Sequence, residues 1–127
     1  MNNCFILLAA GQSKRFKSSK HKQFISYKNK PLYEHSIIKA IESKLFKKII
    51  LVTNKRKIDV KKFKNKVKII KGGKERSDSS FLGIKYAKKL GAKNVFIHDA
   101  ARPNFSINLL KNISKSLKKN QAVVPFI

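Results

Sequence analysis

Apolar positions in this chain follow two rhythms. Cys4-Phe5-Ile6-Leu7-Leu8-Ala9 is an unbroken apolar run with no alternation, the pattern of a strand buried on both faces of a parallel sheet. It predicts the first strand. Pro31 stands where a helix can begin, and Leu32, His35, Ile38, Ala40 and Ile41 follow at helical spacing. They predict an amphipathic helix over 31–43, with Glu34, Lys39 and Glu42 turned to water. Residues 48–53 are β-branched and apolar, 55–66 polar and weakly helical, and 67–70 again strand-like. A long helix is predicted from Arg76 to Leu90, with Phe81, Ile84, Tyr86, Ala87 and Leu90 as its buried stripe and Gly91 as its stop. Residues 94–98 then predict a strand, Ser106 the cap of a helix containing Ile107, Leu110, Ile113 and Leu117, and residues 122–127 a last strand.

Strands alternating with helices imply an α/β domain, a Rossmann-like open and mostly parallel sheet with helices on both faces. Its ligand is expected outside the carboxyl ends of the strands. The chain has 127 residues, 42% of them hydrophobic, which suits one domain over 1–127, and no internal repeat or linker divides it.

A net charge of +25 changes the picture less than its size suggests. Lysine is spread along both halves, accompanied by 10 Asn and 15 Ile, with no basic block beside an aromatic stacking platform. Compositional bias explains this better than specific nucleic-acid binding. Cys4 is the only cysteine, which excludes an intramolecular disulfide and fits a reducing cytoplasm. The apolar stretch over 4–10 is too short for a membrane span, so no membrane partner is expected.

Candidate chemistry gathers in three segments, each just after a predicted strand: Leu8-Ala9-Ala10-Gly11-Gln12-Ser13-Lys14-Arg15, Gly72-Gly73-Lys74-Glu75-Arg76 and His98-Asp99-Ala100-Ala101-Arg102-Pro103. Of 27 Lys and 4 Arg, three Arg fall here. Arginine offers a planar fork of donors matched to phosphate and carboxylate, so its placement points to anion chemistry. The first loop has neither G-x-x-x-x-G-K-[ST] nor G-x-G-x-x-G, which argues against a Walker-type ATPase and a dinucleotide enzyme. Small Ala9, Ala10 and Gly11 would let a phosphate approach backbone N–H groups, with Arg15 and Lys22 supplying charge. A solvated basic turn is the plainer alternative. Likewise Gly72-Gly73 suits an ordinary turn, Ser79 a helix surface or cap, and His98 a packed strand-end residue with no catalytic role. Asp99 is one of only six acids and adjoins Arg102, which favours a metal or substrate role. His21, His35 and His98 lack metal-ligand spacing.

The residues Leu8-Ala9-Ala10-Gly11-x-Ser13-x-Arg15, followed by Lys22-Gln23-Phe24, resemble the opening of nucleotidyltransferases that couple a nucleoside triphosphate to a phosphorylated small molecule. Gly72 to Ser79 and His98 to Pro103 narrow the resemblance to the 2-C-methyl-D-erythritol 4-phosphate cytidylyltransferase family. Ser13, where a second glycine is common, and His21, where proline often precedes the lysine, depart from its pattern. The resemblance implies a fold of the nucleotide-diphospho-sugar transferase type. It also implies that Ala9, Ala10, Gly11, Ser13, Arg15 and Lys22 hold the triphosphate and that Gly73, Lys74 and Ser79 read cytosine. Ala100 would meet the ribose, and Asp99 and Arg102 the sugar phosphate. Arg15 and Lys22 would be catalytic, Asp99 would help hold Mg²⁺, and CTP and methylerythritol phosphate would be the substrates of a homodimer. Because the resemblance covers only the front half or so of the family's usual chain, the expectation is a truncated domain with little activity on its own. A pentitol-phosphate cytidylyltransferase, a basic nucleic-acid-binding module and an inactive remnant are the alternatives. Ala100-Ala101 favours methylerythritol phosphate over a pentitol phosphate.

Overall fold

The computed structural model describes residues 2–9, 26–27, 30–54, 58–100, 102 and 104–117. Strand β1 (Asn3–Leu8) is buried at every position, as its unbroken apolar run requires. It pairs in parallel with β4 (Lys48–Thr53) on one side and β6 (Asn94–Asp99) on the other, and β4 pairs in parallel with β5 (Val67–Lys71). The sheet order is therefore β5-β4-β1-β6. A small antiparallel hairpin, β2 (Ser26–Tyr27) and β3 (Lys30–Pro31), leads into helix α1 (Leu32–Ser43). Helix α2 (Arg76–Lys89) connects β5 to β6, and α3 (Ile107–Leu117) follows β6.

Strand alternation sorts the core into two layers. Phe5, Leu7, Ile49, Leu51 and Phe96 face Tyr33, Ile37, Ala40 of α1 and Leu110 of α3. Cys4, Ile6, Leu8, Ile50 and Val52 face Ala87 of α2. The chain moves outward from β1 to β4 and β5 with α1 on one face, then returns beyond β1 to β6 with α2 on the other. Strand order thus reverses between β1 and β6, and their carboxyl ends flank the crevice where open α/β sheets bind ligands.

Two predicted helix faces are corrected. In α1 the buried positions are Tyr33, Glu34, Ser36, Ile37, Ala40 and Ser43; of the predicted stripe Ala40 is buried and Ile41 packs against the core, while Leu32, His35 and Ile38 are only half-buried. Glu34, expected in water, is 5% exposed, and its carboxylate forms an ion pair with Lys62. Lys39 is half-buried and donates its ammonium to the Phe105 carbonyl at 2.9 Å. In α2 the buried residues are Ser79, Gly83 and Ala87, spaced four apart, while Phe81 is 64% and Ile84 40% exposed. The reason is close approach. A Cβ at Gly83 would stand 2.7 Å from Ile6 Cγ2, so the helix backbone rests on the sheet and only small side chains fit between them. Ala87 is buried as predicted, and Tyr86 and Leu90 keep their predicted packing at the margin of that layer.

Other expectations hold with small shifts. Gly91 takes φ +86 just after α2, and Ser106 Oγ accepts the Leu109 N–H at 3.0 Å at the start of α3. The weak helix predicted before β5 is a 3₁₀ segment, Lys61–Lys66, interrupted at Lys64 by φ 53. Cys4 is a buried strand thiol whose pKa burial raises. The strand predicted over 122–127 lies outside the described residues. Among the described residues no helix is long and apolar enough to cross a membrane.

Candidate active site

Parallel pairing brings the first and third segments together. Leu8 is in register with Asp99, the Ala100 N–H donates to the Leu8 carbonyl at 2.9 Å, and the Ala9 N–H donates to Val52 at 2.7 Å. Ala9 and Ala100 are 2% and 0% exposed, so the floor between these strand ends is built of methyl groups and backbone. Such a floor lets a ligand approach the main chain. Asp99 is half-buried beside it, and Arg102, exposed, closes a turn by donating its N–H to the Asp99 carbonyl at 3.1 Å.

The second segment is fixed by hydrogen bonds the sequence does not announce. The Gly72 N–H donates to the Thr53 carbonyl at 3.2 Å, continuing the sheet past β5. Asn54 Nδ2 donates to the Gly73 carbonyl at 3.3 Å, and the Gly73 N–H donates to Ser79 Oγ at 3.1 Å. Both polar groups of Gly73 are therefore held. Glu75 and Asp78 close a reciprocal capping box at the start of α2, with the Glu75 N–H donating to Asp78 Oδ2 at 3.1 Å. A Cβ at Gly73 would lie 2.4 Å from Asp78 Cβ, which has no freedom to withdraw. Ser79 is thus a buried strut that fixes the loop, whereas Lys74 projects from it exposed.

Electrostatics link this loop to the third segment. His98 is held below the ordinary histidine range chiefly by burial, opposed by its hydrogen bond to the Arg102 carbonyl and the nearby Asp99 carboxylate, while Arg102 and Arg76 push it further down. Ala9, Gly73, Lys74, Ser79, Asp99, Ala100 and Arg102 all lie at the carboxyl end of the sheet. Ala10, Gly11, Ser13, Arg15 and Lys22 lie outside the described residues. Sequence reading missed Asn54, whose only signal is an amide immediately after a buried strand.

Two substitutions test the strut. Ser79→Ala strands the Gly73 N–H and is expected to destabilise the chain by about 1–2 kcal/mol in urea unfolding. Gly73→Ala is expected to displace the loop and open the capping box, visible as faster amide exchange across 73–79. Unchanged stability and exchange in both would mean that the loop does not depend on these contacts.

Residues 3–127 match the family model for 2-C-methyl-D-erythritol 4-phosphate cytidylyltransferase, IspD. The chain belongs to that family. It is 50% identical over 129 aligned residues to the bifunctional enzyme IspD/IspF of Pelagibacter ubique, covering 100% of this chain and 35% of that one. It is 42% identical over 117 residues to the 2-C-methyl-D-erythritol 4-phosphate cytidylyltransferase of Clostridium botulinum strain Langeland, covering 87% of this chain and 51% of its relative. The solved bifunctional IspDF of Campylobacter jejuni superposes with a TM-score of 0.75 at 32% identity, over 94% of this chain and 31% of that one. The IspD resemblance read from three short segments thus extends along the chain, which spans about half or less of these relatives.

Proposed function

We propose that this chain carries the nucleotide-binding part of a cytidylyltransferase that joins CTP to 2-C-methyl-D-erythritol 4-phosphate. The observation that supports it best is the paired floor of Ala9 and Ala100 at the strand-order reversal, with Asp99 and Arg102 in the adjoining turn. The triphosphate lies over Ala9, Ala10, Gly11 and Ser13, cytosine meets Gly73, Lys74 and Ser79, and the ribose meets Ala100. Asp99 and Arg102 face the acceptor.

In the reaction an oxygen of the acceptor phosphate attacks the α-phosphorus of CTP, forming a new P–O bond as the bond to the β-phosphate oxygen breaks. Charge passes to the leaving pyrophosphate. The attacking phosphate is already an anion, so no general base is needed. Positioning and electrostatic stabilisation are what the protein must supply. Arg15 and Lys22 hold the triphosphate where that charge develops.

Asp99 provides the kind of hard oxygen donor that Mg²⁺ takes. Mg²⁺ is ordinarily bound through one or two carboxylates together with substrate phosphates, and Asp99 can supply one such carboxylate. When bound, Mg²⁺ neutralises phosphate oxygens. A homodimer and a cytoplasmic setting complete this reading, the latter consistent with a lone, buried Cys4.

Calorimetry with Mg²⁺ present tests the nucleotide preference. CTP is expected to bind about tenfold or more tightly than ATP, GTP or UTP, because the buried Ser79 strut holds the Gly73-Lys74 loop as one rigid, shaped edge for the base. Equal affinities that vanish together between 50 and 200 mM salt would instead identify a general polyanion surface.

A further inference from the structure

His98 takes part in no step described above, yet its ring is anchored on two sides. It packs edge-on against Phe105 with centroids 4.6 Å apart and lies 6.2 Å from the Phe5 ring. Phe105 is itself held, since the Lys39 ammonium bonds its carbonyl and sits 5.2 Å from its ring centroid. His98 Nε2 meets the Arg102 carbonyl oxygen. A carbonyl only accepts, so the hydrogen is on Nε2 and the ring donates it.

This bond spans the turn that carries the acceptor-facing residues. The turn is tied to β1 at one end by the Ala100 N–H on Leu8, and closed internally by the Arg102 N–H on Asp99. At its far end the His98 ring adds a tie among the described residues. Removing that donor leaves the Arg102 carbonyl to water and lets the backbone from which Asp99 and Arg102 project sample other directions.

We propose that His98 is a positioning residue for the acceptor phosphate: its Nε2–H fixes the 99–102 turn so that Asp99 and Arg102 are presented together. This rests on the site reading given under Proposed function. His98 touches neither the nucleotide nor the reacting atoms. Its effect falls on acceptor binding far more than on CTP, whose ribose and base contacts lie on Ala100 and the β5–α2 loop.

The test separates packing from donation. His98→Phe keeps an aromatic ring against Phe5 and Phe105 but has no donor, and His98→Met is a second donorless variant should the first fail to fold. His98→Gln places an amide N–H where Nε2 stands. Two readouts are taken on the full chain: amide exchange at Arg102, and affinity for methylerythritol phosphate in the presence of CTP and Mg²⁺. The donorless variant is expected to exchange at Arg102 and to lose acceptor affinity by about tenfold each, with CTP affinity changed less than about threefold and both losses reversed by Gln. Wild-type behaviour of the donorless variant, or a Gln variant no better than Phe, overturns the proposal. Failure of the unmodified chain to bind the acceptor would count against the site reading, while the exchange comparison would still decide whether the His98 bond holds the turn.

Discussion

Replacing Gly83 by valine is expected to lower the melting temperature by about 10 °C or more, a loss of roughly 3 kcal/mol. Even a Cβ at this position stands 2.7 Å from Ile6 Cγ2 and 3.4 Å from Val52 Cγ2. Ile6 and Val52 are both 0% exposed, so neither side chain has space to rotate away. Gly83→Ala sets two effects against each other. Alanine gains up to about 1 kcal/mol of helix propensity, but overpacking a fixed core costs about 1–3 kcal/mol, so the net change is a smaller destabilisation. Phe81→Ala on the outer face of the same helix is the control and should change stability by less than about 1 kcal/mol, because Phe81 is 64% exposed. A Gly83→Val chain melting within 2 °C or so of the parent would mean that α2 does not rest on β1 as described.

In a version of the protein extended to the length of its relatives, Arg15→Ala and Lys22→Ala should each reduce cytidylyl transfer by roughly 10²-fold or more while leaving thermal unfolding nearly unchanged. The argument is electrostatic. Each side chain is assigned to charge that grows on the leaving pyrophosphate, and an organised donor lost at such a point is worth far more than a surface ion pair. Arg15→Lys should recover only part of the rate, since an ammonium lacks the bidentate fork. Near-normal turnover in either alanine variant would remove that residue from the mechanism. Equal loss of rate and stability would make its role structural.

What the sequence disclosed, and what it withheld, follows from which forces leave a local pattern. β1 and β4 were legible because burial on both faces demands an unbroken apolar run, and Gly91 and Ser106 because helix ends need particular residues. In α2 Ala87, Tyr86 and Leu90 were legible, but Phe81 and Ile84 were misread for a physical reason. Apolar size marks a buried stripe only when a helix packs at ordinary distance, and here Ser79, Gly83 and Ala87 bring it closer. Glu34 was misplaced because its partner, Lys62, comes from a different segment. Ala9, Asp99 and Ala100 fall in segments marked by their place after predicted strands, their roles came from the family resemblance, and parallel pairing puts them side by side. The tie from Asn54 to Gly73 joins residues 19 apart and leaves no motif behind.

A titration of the isotopically labelled chain with CTP and Mg²⁺, followed residue by residue through amide NMR shifts, tests the central claim most directly. Shifts should concentrate at Ala9, Gly73, Lys74, Ser79 and Ala100, at the carboxyl end of the sheet. Lys47 and Lys93, hydrogen-bonded to Asn3 and Asn2 at the opposite end, should stay still. They should also persist from 50 to 200 mM salt. Perturbation spread over Lys47, Lys93 and the other exposed lysines, fading as salt rises, would contradict a nucleotide site at the strand ends.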